Sequence, residues 1–202
     1  MAITIHEFCH AFAAWSLGDP TAQQAGRLTL NPIKHLDPFG SLLLLLTILA
    51  RAPGIGWGKP VPVNVRALRY GRLGMAIVSA AGPLSNLALA LLAALTVRAL
   101  DAADQPVPPW VVEFIRILIV LNVGLCVFNL LPIAPLDGFG VAIGVLPWSI
   151  AGPIARLGRY GPGILMLLVF SGSLIHINLL NVILDPPRSA LLRLVARAAG
   201  AL

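Results

Sequence analysis

This 202-residue sequence is short of charge: Asp, Glu, Lys and Arg make up 11% of it, while 58% is hydrophobic. A soluble domain carries roughly a quarter charged residues. So little polar surface cannot cover a water-soluble fold, which excludes that class and leaves a membrane protein. Cysteine is scarce as well. Cys9 and Cys126 both lie inside apolar runs, so they read as small buried hydrophobes rather than a disulfide framework. A Ser/Gly or charged linker and any repeat of fixed period are also missing, so one unit over 1–202 is expected. The apolar N-terminus has no basic flank and contains ionisable residues, so a cleavable signal peptide is not expected. The net charge of +6 does not argue for nucleic acid. The 14 Lys and Arg gather in loops between apolar runs, not on an amphipathic or aromatic-interleaved face.

What is present is a series of apolar segments, and together they predict an all-α polytopic membrane protein with about four transmembrane helices. The expected spans are 1–17, 73–100, 110–131 and 161–184. Gly18-Asp19-Pro20 should end the first, and Asp185-Pro186-Pro187 the last. Only five residues precede His6, so the first helix is expected to reach the outer face with little to spare. The run 39–51 is bracketed by Pro38 and Pro53 and is shorter than the roughly 20 residues a span needs. It is expected to be re-entrant. The alternation Gly26-Arg27-Leu28-Thr29-Leu30 suggests a short surface strand, and Lys59-Pro60-Val61-Pro62-Val63 an irregular edge strand. Residues 132–160, broken by Pro and Gly, read as loop or short helix, and 188–202 as an amphipathic surface tail.

Charge orients these elements. Residues 18–72 hold seven Lys or Arg and 138–160 add Arg156 and Arg159, whereas 101–109 has none. The positive-inside rule puts the first two regions, with the re-entrant and strand elements, on the cytosolic side. The basic tail then falls outside, against the rule.

The chemistry-bearing pattern is His6-Glu7-Phe8-Cys9-His10. Histidines at i and i+4 share a helix face and can reach one metal, with the intervening Glu close enough to take a proton from bound water. Ionisable groups in an apolar helix are costly unless paired or ligated; a satisfied polar cluster packing helices is the bland alternative. A catalytic zinc takes a third protein ligand and keeps an open position. Asp137, at the end of Phe128-Asn129-Leu130-Leu131-Pro132-Ile133-Ala134-Pro135-Leu136, is the remaining acid in an apolar context at the right depth. Asp101, Asp104 and Glu113 lie at the far side, Asp185 follows the last span, and Asp19 and Asp37 are in surface loops. An ordinary helix cap is the alternative reading of Asp137. The first helix and span 110–131 must end on one side for this set to form, which requires 39–51 not to cross.

These stretches resemble the site-2 protease family of intramembrane zinc metalloproteases, in a short prokaryotic branch without a PDZ domain. The resemblance rests on His6 to His10, Leu17 to Ala22 with Gly26 to Pro32, Lys59 to Asn64, Ala81-Gly82-Pro83-Leu84-Ser85-Asn86, and Phe128 to Gly138, in the expected order. It implies one Zn2+ per chain held by His6, His10 and Asp137, with Glu7 as the catalytic base. It also implies hydrolysis of a peptide bond in or near a transmembrane segment of a membrane-protein substrate, and residence in a prokaryotic inner membrane with the site towards the cytosol. By the same resemblance Asn129 is a candidate substrate-backbone binder and Asn86 a second polar group near the site, with interhelical hydrogen bonding as the alternative for Asn86. Gly82 reads as a helix-packing residue, His176 as a packing or hydrogen-bonded one, and His35 as loop-structuring. The sequence departs from many relatives after Asp137, where it runs Gly138-Phe139-Gly140. With no PDZ-sized insertion between Leu100 and Trp110, substrate selection is expected from the membrane part or a partner. Two rival classes remain. A metal-binding scaffold would be signalled by loss of Glu7 or Asp137, and a small metal or proton transporter by an inverted repeat.

Overall fold

The computed structural model describes residues 1–49, 56, 58–103 and 107–200, and its chain clusters into two compact units, Met1–Gly82 and Pro83–Leu202. Expectations that fall on Ala50, Arg51 and Asp104 lie outside the described residues.

In the first unit α1 (Ala2–Ser16) is a 15-residue helix. It stops where Gly18, at φ +99°, turns the chain so that the Asp19 N–H reaches the Ala14 carbonyl at 2.9 Å. A short α2 (Thr21–Gln24) follows. A 3₁₀ turn, Pro32–His35, is capped by Asn31, whose side chain accepts from the Ile33 N–H at 3.0 Å. Helix α3 (Pro38–Leu49) begins where the Asp37 side chain accepts from the Gly40 N–H at 2.8 Å. The unit closes with the first turns of α4 (Arg72–Ala102). Ala14, Leu68 and Val78 form its core, with Ala13, Leu17, Val63 and Met75 packed against them.

The second unit contains the rest of α4, then α5 (Pro109–Asn129), α6 (Asp137–Val145), α7 (Trp148–Leu157), a 3₁₀ turn Gly158–Tyr160, α8 (Gly161–Ile175) and α9 (Leu179–Ala198). Ala90 and Ala94 of α4, Val123 and Val127 of α5, and Val195 of α9 make its core. Small residues on α4 let the neighbouring backbones approach closely.

The all-helical reading holds, with three differences. Among the described residues, three stretches are long and apolar enough to cross a membrane: Arg72–Ala102, Pro109–Asn129 and Trp148–Ile175. The first two match the expected 73–100 and 110–131. The third begins earlier than 161 and ends earlier than 184, because His176 adopts a left-handed conformation (φ 57°) that terminates α8. Helix α1, at about 1.5 Å per residue, is shorter than the roughly 30 Å hydrocarbon core.

Nor do Pro186 and Pro187 stop a helix. Both lie inside α9, whose N-terminus is set by Asn178 accepting from the Asn181 N–H at 3.0 Å. The expected tail from 188 is the second half of that helix. Finally, no strand forms among the described residues; an isolated antiparallel bridge joins Leu36 to Gly58. The alternation at 26–30 misleads because its polar member is inside: Arg27 is buried and Leu30 is 57% exposed. Arg27 donates to the carbonyls of Lys34 and Lys59, so the two loops are joined by a guanidinium instead of a ladder.

Candidate metal centre

Helix α1 carries the HExxH pattern, and its i, i+4 spacing puts both imidazoles on the buried face. His6 and His10 are 6% and 7% exposed. The His10 Nδ1 lies 2.7 Å from the Val78 carbonyl. A carbonyl only accepts, so Nδ1 carries the proton and donates, and the lone pair of a neutral ring sits on Nε2. That Nε2 is 3.1 Å from the Nε2 of His6, with the two rings edge to face, centroids 4.6 Å apart. A backbone carbonyl fixing the outer nitrogen while the inner one points at a shared space is how metal-ligating histidines are held.

The space in front of these nitrogens exists because residue 82 is glycine. A Cβ built there would lie 2.6 Å from His6 Nε2 and closer still to His10 Nε2. Two converging imidazole nitrogens facing a gap, on a chain that also supplies a carboxylate, are a donor set suited to zinc. Glu7 is half-buried on the same helix. Its neighbour is Gly58, where a Cβ would stand 4.0 Å from Glu7 Oε1.

His35 lies in the adjoining loop and is 2% exposed, its Nε2 2.8 Å from the Thr29 carbonyl. The loop-structuring reading is borne out. Two polar residues of this unit were not foreseen as buried. Asp19 is fully buried, accepting from the Thr21 N–H and hydroxyl and, at 2.6 Å, from the Asn64 N–H. Its signal was the Asp-x-Thr spacing ahead of a short helix. For Arg27 the sequence offers no signal.

In the second unit Asp137 is the first residue of α6, half-buried, one position inside the helix, so it is not the cap. A carboxylate suits that first turn. Gly138 is what allows this start, since a Cβ there would collide with the carbonyls of Leu130 and Leu131 at the end of α5. Asn129, half-buried on the last turn of α5, donates to the Leu125 carbonyl at 3.0 Å. Asn86 is fully buried and donates to the Asn122 side chain at 2.9 Å. Asn122, itself fully buried, donates to the Leu118 carbonyl at 2.8 Å. Asn122 was not singled out from the sequence, although a lone Asn in an apolar helix is a signal. His176 is exposed at the left-handed end of α8, which corrects the expectation that it packs in the core.

No family model matches the chain, and no solved structure matches it. Curated relatives do. The chain is 40% identical over 165 residues to "Putative zinc metalloprotease YwhC" of Bacillus subtilis, a match covering 80% of this chain and 73% of that protein. It is 42% identical over 142 residues to "Putative zinc metalloprotease Rip2" of Mycolicibacterium smegmatis, and 37% identical over 140 residues to the Rip2 of Mycobacterium tuberculosis. Each Rip2 match covers 69% of this chain and 52% of the relative, so the chain spans about half the length of the Rip2 proteins. With its HExxH helix and, among the described residues, three helices able to cross a membrane, the chain belongs to the site-2 protease family of membrane metalloproteases.

Proposed function

We propose that this protein is an intramembrane zinc metalloendopeptidase, hydrolysing peptide bonds in or near transmembrane segments of other membrane proteins. The observation that carries this is the pair of imidazole nitrogens facing one another at 3.1 Å beside Glu7 on one helix. His6, His10 and Asp137 would hold one zinc. At such a site zinc supplies Lewis-acid chemistry, acidifying a water and polarising a peptide carbonyl.

The remaining work belongs to the chain. Glu7 accepts the proton from the attacking water and returns it to the departing amine. Val78, through its carbonyl, holds His10 in the tautomer that presents Nε2. A helical substrate hides its carbonyls in i to i−4 bonds, so it must unwind locally before attack. Asn129 offers the extended peptide a carboxamide. One of its two Nδ2 hydrogens goes to the Leu125 carbonyl, so the other hydrogen and Oδ1 are what it offers a peptide. Asn86, held in its bond to Asn122, is better read as joining two helices than as touching substrate. The setting proposed is a prokaryotic inner membrane, with the site towards the cytosol.

Zinc measured in detergent-purified protein tests the metal set: about one per chain is expected in the wild type, with less in Asp137→Ala. Glu7→Gln should keep zinc and lose cleavage of a reporter transmembrane substrate. Wild type that holds no zinc after reconstitution would overturn the reading, and wild type that holds zinc without cleaving would favour the metal-binding scaffold.

A further inference from the structure

We infer that Gly82 is a positioning residue of the metal site, whose missing side chain keeps open the space into which both histidines present their nitrogens. The inference rests on the metalloprotease reading and deepens it.

Three observations carry it. First, a Cβ at position 82 would sit 2.6 Å from His6 Nε2 and closer still to His10 Nε2. These are the atoms that would bind the metal, so the obstruction is aimed at them. Second, the obstructed rings are side-chain ends, whereas the backbone of α4 around residue 82 is fixed in a 31-residue helix. The cheapest relaxation on adding a methyl group is therefore rotation of the imidazoles. Third, His10 cannot rotate and keep its tautomer, because its Nδ1 is bonded to the Val78 carbonyl at 2.7 Å. Val78 and Gly82 are i and i+4 on α4 and share a face. One face of one helix thus supplies both the carbonyl that orients His10 and the gap that its other nitrogen faces. In a purely helix-packing role, an added methyl would meet apolar side chains or backbone, and its effect would be lost stability. Here the first groups met are ligand atoms, and the effect falls on metal affinity.

The test is zinc affinity of purified Gly82→Ala, measured by competition with a chromophoric chelator, beside wild type and Gly124→Ala. Position 124 is a suitable control because a Cβ there meets nothing within 4 Å. Thermal unfolding of each protein is followed with chelator and with added zinc. The expected result is zinc affinity lowered at least tenfold in Gly82→Ala and unchanged in Gly124→Ala. Melting of the metal-free proteins should be alike, with the zinc-dependent rise in melting temperature lost only in Gly82→Ala. Wild-type zinc affinity in Gly82→Ala would overturn the inference and leave the metalloprotease reading standing. Metal-free Gly82→Ala that melts well below wild type would overturn it too, in favour of helix packing. If wild type itself takes up no zinc, the metalloprotease reading fails first.

Discussion

Asp19 shows what one carboxylate can hold in place. It is fully buried and accepts three hydrogen bonds, two from Thr21 and one from the Asn64 backbone, so it ties the turn after α1 to the loop before α4. Burial on its own would raise the carboxyl's pKa. The hydrogen bonds from Thr21 and Asn64 outweigh it and leave the pKa below its ordinary value of 3.8. With a folded pKa below the unfolded one, the stabilisation is fully present above about 3.8 and drains away as pH falls through the lowered value. Asp19→Ala strands buried donors and should cost about 1–3 kcal/mol near neutrality. The difference in melting temperature between wild type and variant should shrink as the buffer is taken below pH 4. A gap that stays constant with pH would mean the carboxylate's charge is not what the turn uses. The residue also marks a limit of the sequence. His6, Glu7 and His10 could be read because a motif fixes their mutual spacing on one helix. Asp19 and Arg27 act through carbonyls and N–H groups of residues as far away as Asn64 and Lys59, and no local pattern encodes such partners.

Among the elements, α4 and α5 were legible almost to the residue, since long uninterrupted apolar runs admit few other structures in lipid. The end of the last span was not, because Pro186-Pro187 reads as a stop by local propensity. Packing of Val195, Leu191 and Leu192 on the core formed by α4 and α5 favours one helix from Leu179 to Ala198. The readable cue was Asn178, a good N-cap, which points to a helix starting after it. What joins α4 to α5 besides small apolar side chains is the Asn86–Asn122 bond, with both groups fully buried. Hydrogen bonds between membrane helices are worth roughly 0.6–2 kcal/mol. Asn122→Ala should destabilise by that order, and Asn86→Ala by a similar amount, with the double variant less than their sum. Unfolding in a detergent series measures it. Strict additivity would show that the pair is not coupled, and would return Asn86 to the role of substrate contact.

At the scale of the whole molecule the surface is inverted relative to a soluble protein. Helix α5 alone exposes Trp110, Val112, Phe114, Ile117, Val120 and Leu121, an apolar array that lipid accommodates and water does not. In the proposed orientation, charge decides which side of the membrane each end meets. The seven cations of 18–72 argue for the cytosol, and the cation-free connection 101–109 for the opposite face. The basic C-terminal segment conflicted with this scheme when read from sequence. Within the second unit, however, Arg98 near the end of α4 donates to the Ala198 carbonyl at 3.4 Å, which ties the end of α9 to the end of α4 that leads into the acidic connection. In the proposed orientation the tail therefore lies on the same side as the acidic connection, against the charge rule. Single cysteines in a Cys9→Ala, Cys126→Ala background test this with a membrane-impermeant maleimide on intact cells. Asp101→Cys and Ala199→Cys should be labelled together from outside, and Arg66→Cys only after permeabilisation. Labelling of Arg66→Cys in intact cells would reverse the orientation, and with it the proposal that the site faces the cytosol. Opposite behaviour of positions 101 and 199 would instead break the tie between α4 and α9 that Arg98 makes.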